Sequence, residues 1–282
     1  MTLHVGIIGF PVGHSVSPAF QQAAFDHLRL DARYERWETP PDRLREVVER
    51  LRGEGYLGAN VTVPHKQAVI SLLDEMDAQA RRIGAVNTIV NRKGRLTGYN
   101  TDAPGFLRAL REDARFEPSG KRALIVGAGG AARAVAFALA DAKAAGIVIA
   151  NRNLDRAQAL ADAVGAGGAK AVAMELQRGW VMGAPTGIDL VVNCTTVGMR
   201  SADTEGESPL DAAHLRREML VCDLVYNPAE TTLMRAARKL GCRVLGGLPM
   251  LVYQGALAFE MWTGKKAPVD VMRRAAEQAL KA

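Results

Sequence analysis

The chain has 282 residues, 48% hydrophobic and 23% charged, which suits one large or two modest domains and excludes a disordered or fibrous chain. It carries 36 Lys+Arg against 30 Asp+Glu, a net charge of +6, with no block of like charge. That pattern disfavours a nucleic-acid tail or a polybasic membrane patch and suits a small anionic ligand.

Short β-rich runs alternate with amphipathic stretches, which predicts α/β layers with largely parallel sheets. The first third reads as a strand over 4–10, a helix from about Ser17, a strand over 33–38, a helix over 42–52, a strand over 58–63 and a helix over 64–76. The run AVNTIVNRKGRLTGYN then predicts a hairpin turning at Lys93-Gly94. A helix over about 104–112 follows, and Pro118-Ser119-Gly120 punctuates the chain as a linker would. Beyond it come a strand over 122–126, a helix over 131–144, a strand over 147–150, a helix over 154–163, and strands near 171–174, 189–193, 220–225 and 243–245. Short apolar strands interleaved with helices in this way match a doubly wound nucleotide-binding domain. The helical text from GGLPMLVYQGALAFEMW onward is expected to return to the first unit. Two domains are therefore expected: 1–102 plus 248–282, discontinuous, and 103–247.

Cys194, Cys222 and Cys242 form no CxxC pair, which argues against a disulfide framework or a zinc site and for a reducing compartment. No apolar run approaches the roughly 20 residues of a membrane helix, and the N-terminal text lacks a signal-peptide pattern. A cytoplasmic protein is expected. Cys194 and Cys222 sit in apolar runs and read as buried thiols, not nucleophiles.

RALIVGAGGAA, residues 122–132, is a strand followed by Gly127, Ala128, Gly129, Gly130 and Ala131, with Gly127, Gly129 and Ala132 in G-x-G-x-x-A spacing. Gly127 permits the tight turn, Gly129 lets backbone approach a pyrophosphate, and the helix N-terminus offers free N–H groups to the anion. At the end of the next strand, where NAD-binding domains carry an acid for the ribose, the sequence has Asn151, Arg152 and Asn153, with Arg156 one turn later. Guanidinium groups there favour the 2′-phosphate of NADP.

HSVSPAF places Ser15 and Ser17 before Pro18, with Ser17 as N-cap and Pro18 at the first helical position. Ser15 is not needed for capping, and two hydroxyls at a positive helix end could hold a carboxylate. ANVTVPHK puts Asn60 and Thr62 on one face of a strand and Lys66 in the first turn of the helix after Pro64. A lysine at that end of a helix dipole is disfavoured as a cation and suits proton transfer. His65 and His14 read as structural. Asn87, Asn100 and Asp102 cluster near strand ends, with helix capping by Asp102 as the bland alternative. Tyr226 closes another strand, Gly198 would let backbone approach a flat ring, and Gln254 lies on the returning helix.

Together GFPVGHSVSP, ANVTVPHK, IGAVNTI, GYNTDAPGF, VGAGGAARA, ANRNLDRA, NCTTVGM, DLVYNP and GGLPMLVYQGALAFEMWTG resemble the shikimate dehydrogenase family, in its order and over almost the whole chain. The resemblance implies an α/β substrate domain with a mixed, mostly parallel sheet and a Rossmann-like domain for NADP. It implies NADPH-dependent reversible reduction of 3-dehydroshikimate to shikimate, in chorismate and aromatic amino-acid biosynthesis. Lys66 and Asp102 match the family's catalytic pair, and Ser15 and Ser17 its carboxylate binders. Asn60, Thr62, Asn87, Tyr226 and Gln254 match the substrate pocket. Asn151, Arg152, Asn153 and Arg156 match the adenosine-phosphate clamp, and Met199, Leu224 and Gly247 approach the nicotinamide. The chain departs from the family at Gln21-Gln22, where His-Asn is frequent, and at Asn153, often Thr. The lysine and its hydrogen bonds meet the charge on oxygen, so no metal is expected. The expected partner is the small substrate alone, without nucleic acid or membrane, on a monomer or homodimer. A quinate or dual quinate/shikimate dehydrogenase and a non-catalytic NADP-sensing protein are the alternatives.

Overall fold

A computed structural model describes residues 2–181, 186–200 and 202–281. The chain divides into two compact units, Met1–Gly105 with Leu251–Ala282, and Phe106–Met250. Among the described residues no helix is long and apolar enough to cross a membrane.

The first unit contains β1 (Leu3–Gly9), α1 (Ser17–His27), β2 (Ala32–Glu38), α2 (Leu44–Arg50), β3 (Tyr56–Val61), β4 (Glu75–Met76), α3 (Ala78–Ile83), β5 (Thr88–Arg92), β6 (Arg95–Tyr99) and the start of α4 (Asp102–Glu112). Its sheet runs β2-β1-β3-β5-β6-β4. β1 pairs in parallel with β2 and β3, whereas β5 is antiparallel to both β3 and β6. Val5–Gly9 is an unbroken buried run, because helices cover both faces of a largely parallel sheet. One face packs Leu44, Val48 and Leu51 against Ile8, Ala59, Val61, Ile89 and Leu96. The β5–β6 hairpin turns at Lys93 (φ 54°) and Gly94 (φ 86°), the left-handed pair that a two-residue turn needs to follow strand twist.

The helix expected over 64–76 does not form. Residues 64–67 make turns, a short 3-10 segment spans Ala68–Leu72, and β4 follows. The Lys66 carbonyl accepts from the Val86 N–H at 2.7 Å, and the Asp74 N–H donates to Leu96 O at 3.1 Å. Tertiary pairing thus satisfies the backbone groups that a helix would have paired locally.

The second unit contains β7 (Arg122–Val126), α5 (Gly130–Asp141), β8 (Gly146–Asn151), α6 (Leu154–Gly165), β9 (Ala171–Gln177), β10 (Trp180–Val181), β11 (Leu190–Asn193), β12 (Leu220–Asp223), α7 (Thr232–Lys239) and β13 (Arg243–Leu245). Its order is β10-β9-β8-β7-β11-β12-β13. In chain order the six parallel strands stand 3-2-1-4-5-6, the doubly wound arrangement, with the switch point between β7 and β11. The antiparallel β10 and the helix α7 are additions to the expected elements. Pro118-Ser119-Gly120 lies inside this unit and separates α4 from β7; the division between units falls within α4. The chain re-enters the first unit along α8 (Leu248–Thr263) and ends with α9 (Val269–Ala279).

Candidate active site

In the first unit, Lys66 Nζ donates to Asp102 Oδ2 at 2.6 Å, with side chains only 13% and 6% exposed. Asn87 Nδ2 donates to Asp102 Oδ1 at 2.9 Å, so both carboxylate oxygens are engaged. Asp102 does not cap its own helix. Asn100 does, accepting the Ala103 N–H at 3.1 Å and donating to Ala85 O at 2.9 Å, which leaves the Asp102 carboxylate for Lys66. Lys66 owes its place to this partner and not to a helix dipole, since it sits in a turn.

The surrounding polar side chains are buried and bonded to one another. Asn87 Oδ1 accepts the Thr101 N–H at 2.7 Å, and Asn87 Nδ2 also reaches Gln254 Oε1 at 3.2 Å. Gln254 Nε2 turns back to Leu251 O at 2.7 Å. A Cβ on Gly105 would lie 2.8 Å from Gln254 N, so only glycine lets α4 approach α8 this closely. Asn60 is 4% exposed and fully committed: Tyr34 Oη donates to its Oδ1 at 2.7 Å, and its Nδ2 faces Asn87 O and Thr88 Oγ1 at 3.3 Å. Asn60 shapes this cluster from beneath, whereas Thr62, just past β3, is partly exposed.

The serine loop differs from expectation by one position. α1 begins at Ser17 after Val16, and Ser15 Oγ accepts the Ser17 N–H at 3.2 Å. Ser15 is thus the local acceptor, because Val16 already has helical φ and ψ and moves the helix start forward. Arg36 Nη2 donates to Ser15 O at 2.8 Å and brings a cation to the loop. Gln21 Nε2 donates to Gly255 O at 2.9 Å, and Gln22 Oε1 accepts the Tyr34 N–H at 3.0 Å. The two glutamines therefore tie α1 to α8 and β2. His65 is 1% exposed with Nε2 at 2.6 Å from Thr39 O, and His14 is exposed.

In the second unit, Gly127 closes β7 with φ 111° and Gly129 is the N-cap of α5. No side chain caps α5, its first turn holds no acid, and no atom lies within 4 Å of a Cβ at Gly129. With no side-chain cap and no acid in its first turn, the α5 N-terminus keeps N–H donors that a phosphate group can use. Ala128, Gly130 and Ala131 complete the loop and remain partly exposed. At the end of β8, Asn151 Nδ2 donates to Asn153 O at 2.8 Å, and Asn153 Oδ1 caps α6 by accepting the Arg156 N–H at 2.9 Å. Arg152 and Arg156 are exposed. These residues fit a phosphorylated adenosine, with two guanidinium groups in place of the ribose-binding acid.

Met199 and Leu224 are partly buried on the loops after β11 and β12. Gly247 is needed for packing, because a Cβ there would lie 2.2 Å from Leu224 O. Tyr226 belongs to the second unit. Gly198 has φ 86°, a left-handed turn. Burial pushes the Cys222 thiol well above its ordinary range, so it stays protonated. Cys194 is only half-buried, against expectation, because its strand ends one residue earlier.

Family models match three stretches: a shikimate dehydrogenase substrate binding domain over 7–89, a shikimate/quinate 5-dehydrogenase over 111–198, and a shikimate 5′-dehydrogenase C-terminal domain over 247–277. A shikimate dehydrogenase (NADP+) of Methanopyrus kandleri is 49% identical over 98% of this chain and 96% of its own length. The chain belongs to the shikimate dehydrogenase family. Among solved members, the Thermus thermophilus shikimate 5-dehydrogenase in complex with NADP(H) and shikimate is 41% identical, covering 99% and 100% of the two chains at TM-score 0.85. A quinate dehydrogenase from Corynebacterium glutamicum in complex with NAD is 34% identical, covering 98% and 99% at TM-score 0.88.

Within this family member, Tyr34, Thr88, Thr101 and Arg36 join the site without having been singled out from the sequence. Thr101 is adjacent to Asp102, which is a usable signal. Tyr34 and Arg36 alternate with other polar residues along β2, and nothing local marks them.

Proposed function

We propose that the chain catalyses NADP-dependent interconversion of shikimate and 3-dehydroshikimate. The observation that carries this reading is the buried Lys66–Asp102 pair at 2.6 Å. When bound, NADPH supplies the hydride that reduces the ring ketone of 3-dehydroshikimate. Lys66 Nζ donates a proton to the developing alkoxide, so that hydride plus proton convert ketone to alcohol; in the reverse direction it takes that proton back. Asp102 Oδ2 holds the ammonium in place and stabilises its charge away from bulk water. Asn87 fixes the orientation of Asp102. The Ser15 and Ser17 hydroxyls bind the substrate carboxylate, with the Arg36 charge beside them. Thr62 and Gln254 face ring hydroxyls from the first unit, and Tyr226 serves the substrate from the second. Asn60 acts beneath this layer through Tyr34 and Thr88. The unit of 1–102 plus 248–282 handles substrate, and 103–247 holds the cofactor.

Arg152 and Arg156 select the 2′-phosphate, and the open glycine loop takes the pyrophosphate. Met199 and Leu224 flank the nicotinamide. Similarity to a quinate dehydrogenase solved in complex with NAD makes quinate the competing substrate, and the basic pair is the feature that weighs against NAD. The deciding assay follows absorbance at the NADPH band with shikimate or quinate, each with NADP or NAD. Highest initial rates with shikimate and NADP are expected. Higher rates with quinate and NAD would transfer the chain to the other branch, and NADP binding with no turnover of either acid would make it a sensor.

A further inference from the structure

The ends of β11 and β12 carry a chain of buried polar side chains that the proposed chemistry leaves unused. Asp223 and Asn193, both 0% exposed, close the two neighbouring strands. Asp223 Oδ1 accepts from Asn193 Nδ2 at 2.8 Å and from the Val225 N–H at 3.0 Å, and its Oδ2 accepts from Thr231 Oγ1 at 2.7 Å. Asn193 Oδ1 accepts from Thr195 Oγ1 at 2.7 Å and from the Thr195 N–H at 3.0 Å. Thr195 Oγ1 accepts the Val197 N–H at 3.2 Å, and Thr231 Oγ1 accepts the Met234 N–H at 3.2 Å to start α7. Three donors, Asn193 Nδ2, the Val225 N–H and the Thr231 hydroxyl, therefore converge on one carboxylate, and Asn193 and Thr231 extend the chain to Thr195 and to the start of α7.

Burying a carboxylate is costly, and an apolar pair of the same volume would serve stability as well or better. What an apolar pair could not do is fix two loops at once. The loop 194–199 is held through Asn193 and Thr195, and the loop 224–231 through Val225 and Thr231. Backbone bonds join the same two segments, from the Leu224 N–H to Asn193 O at 3.0 Å and from the Arg200 N–H to Asn227 O at 2.8 Å. The adenosine clamp at 151–156 has no member in this chain of bonds.

We infer that Asp223 is a positioning residue for the reactive end of the cofactor site: through Asn193 and Thr231 it locks the loops carrying Met199 and Leu224 into one arrangement. The inference rests on the reading that those two residues flank the nicotinamide. An asparagine at 223 can still accept from Asn193 and Val225 on its oxygen and donate to Thr231 Oγ1. A leucine can do none of this.

The test compares wild type, Asp223→Asn and Asp223→Leu, with circular dichroism to establish folding. For Asp223→Leu, kcat with shikimate and NADP is expected to fall about 10²-fold, the size of a sub-ångström to ångström misplacement of reacting groups. Affinity for adenosine 2′,5′-bisphosphate, which uses the clamp and not the nicotinamide end, should stay within about threefold, and Asp223→Asn should recover most of kcat. Hydrogen exchange gives a readout independent of substrate: Asp223→Leu should release amides in both 194–199 and 224–231. Release confined to 224–231, loss of bisphosphate affinity in step with kcat, or equal failure of the asparagine variant overturns the inference. A wild-type chain that binds the bisphosphate but does not oxidise shikimate overturns the functional reading instead, and the exchange pattern then decides the coupling by itself.

Discussion

The two polar regions of this molecule are built on opposite plans. Around Asp102 the groups are buried and already paired, side chain to side chain, before any ligand arrives. Around the glycine loop and Arg152 they are partly or fully exposed, and no side chain caps α5. A site that manages a single proton requires a fixed partner and low solvent access, because stray water would compete for that proton. A site that grips a phosphate group needs only unspent donors, since the anion brings the complementary charge. On the proposed reading, preorganisation is concentrated at the proton-transfer pair, and the groups that would meet the adenosine phosphate are left open.

The largest test of this contrast is Lys66→Ala. Turnover of shikimate is expected to fall by about 10²–10⁴-fold, the range for a lost general acid or base, with little change in the KM for shikimate. Near-normal turnover would remove Lys66 from the chemistry. A stability measurement probes the same pair differently. Asp102→Leu leaves a cation with 13% exposure facing no carboxylate, and breaking a buried pair on one side costs about 3–5 kcal/mol. The double variant Lys66→Met with Asp102→Leu should recover much of that loss in urea unfolding. If the double variant is less stable than Asp102→Leu alone, the pair is not the closed unit described here.

The same contrast explains what the sequence made legible. The glycine turn, its flanking strand and helix, and the Asn151–Arg156 segment are contiguous, so spacing alone exposes them. The Asp102 cluster is gathered from residues 34, 60, 66, 87, 101 and 254, and hydrogen bonds between distant segments leave no periodic trace. Lys66 shows the consequence. The local pattern marks it through a helix dipole that the fold does not form, because backbone pairing of Lys66 with Val86 overrides the helical pattern. Val16 replaces Ser17 as the cap of α1 for a similar reason, its backbone being decided by the fold. The doubly wound class of the second unit, by contrast, followed from the alternation of strands with helices, and the short β10 and the helix α7 escaped it.

On the open side, Arg152→Ala with Arg156→Ala should raise the KM for NADP by about 10–150-fold, the worth of one lost charged hydrogen bond at about 1.5–3 kcal/mol. The KM for NAD should hardly move. The loss should also shrink as salt is added, because these guanidinium groups are exposed and screened. Equal losses with NADP and NAD would mean that the arginines support the fold of α6 and do not read the 2′-phosphate.

The smallest effect concerns Asp223, a carboxylate as enclosed as Asp102 but, among the described residues, in no ion pair. Burial raises its carboxyl above the ordinary value, and the bonds from Thr231, Val225 and Asn193 only partly offset that. The folded state therefore binds a proton at 223 more readily than the unfolded state. Above the raised folded value both states are ionised there and the folded state carries the burial penalty. As pH falls through that value toward the unfolded one, the penalty is relieved. Asparagine at 223 does not titrate, so Asp223→Asn compares best with wild type at neutral pH and loses ground on acidification. A change of about 1 kcal/mol in that difference corresponds to roughly 2–4 °C in Tm, within reach of calorimetry at a series of pH values. A difference in Tm that stays flat, or that favours asparagine more strongly in acid, would mean that Asp223 is not held as a buried carboxylate, and the comparison with the cation-paired Asp102 would then collapse.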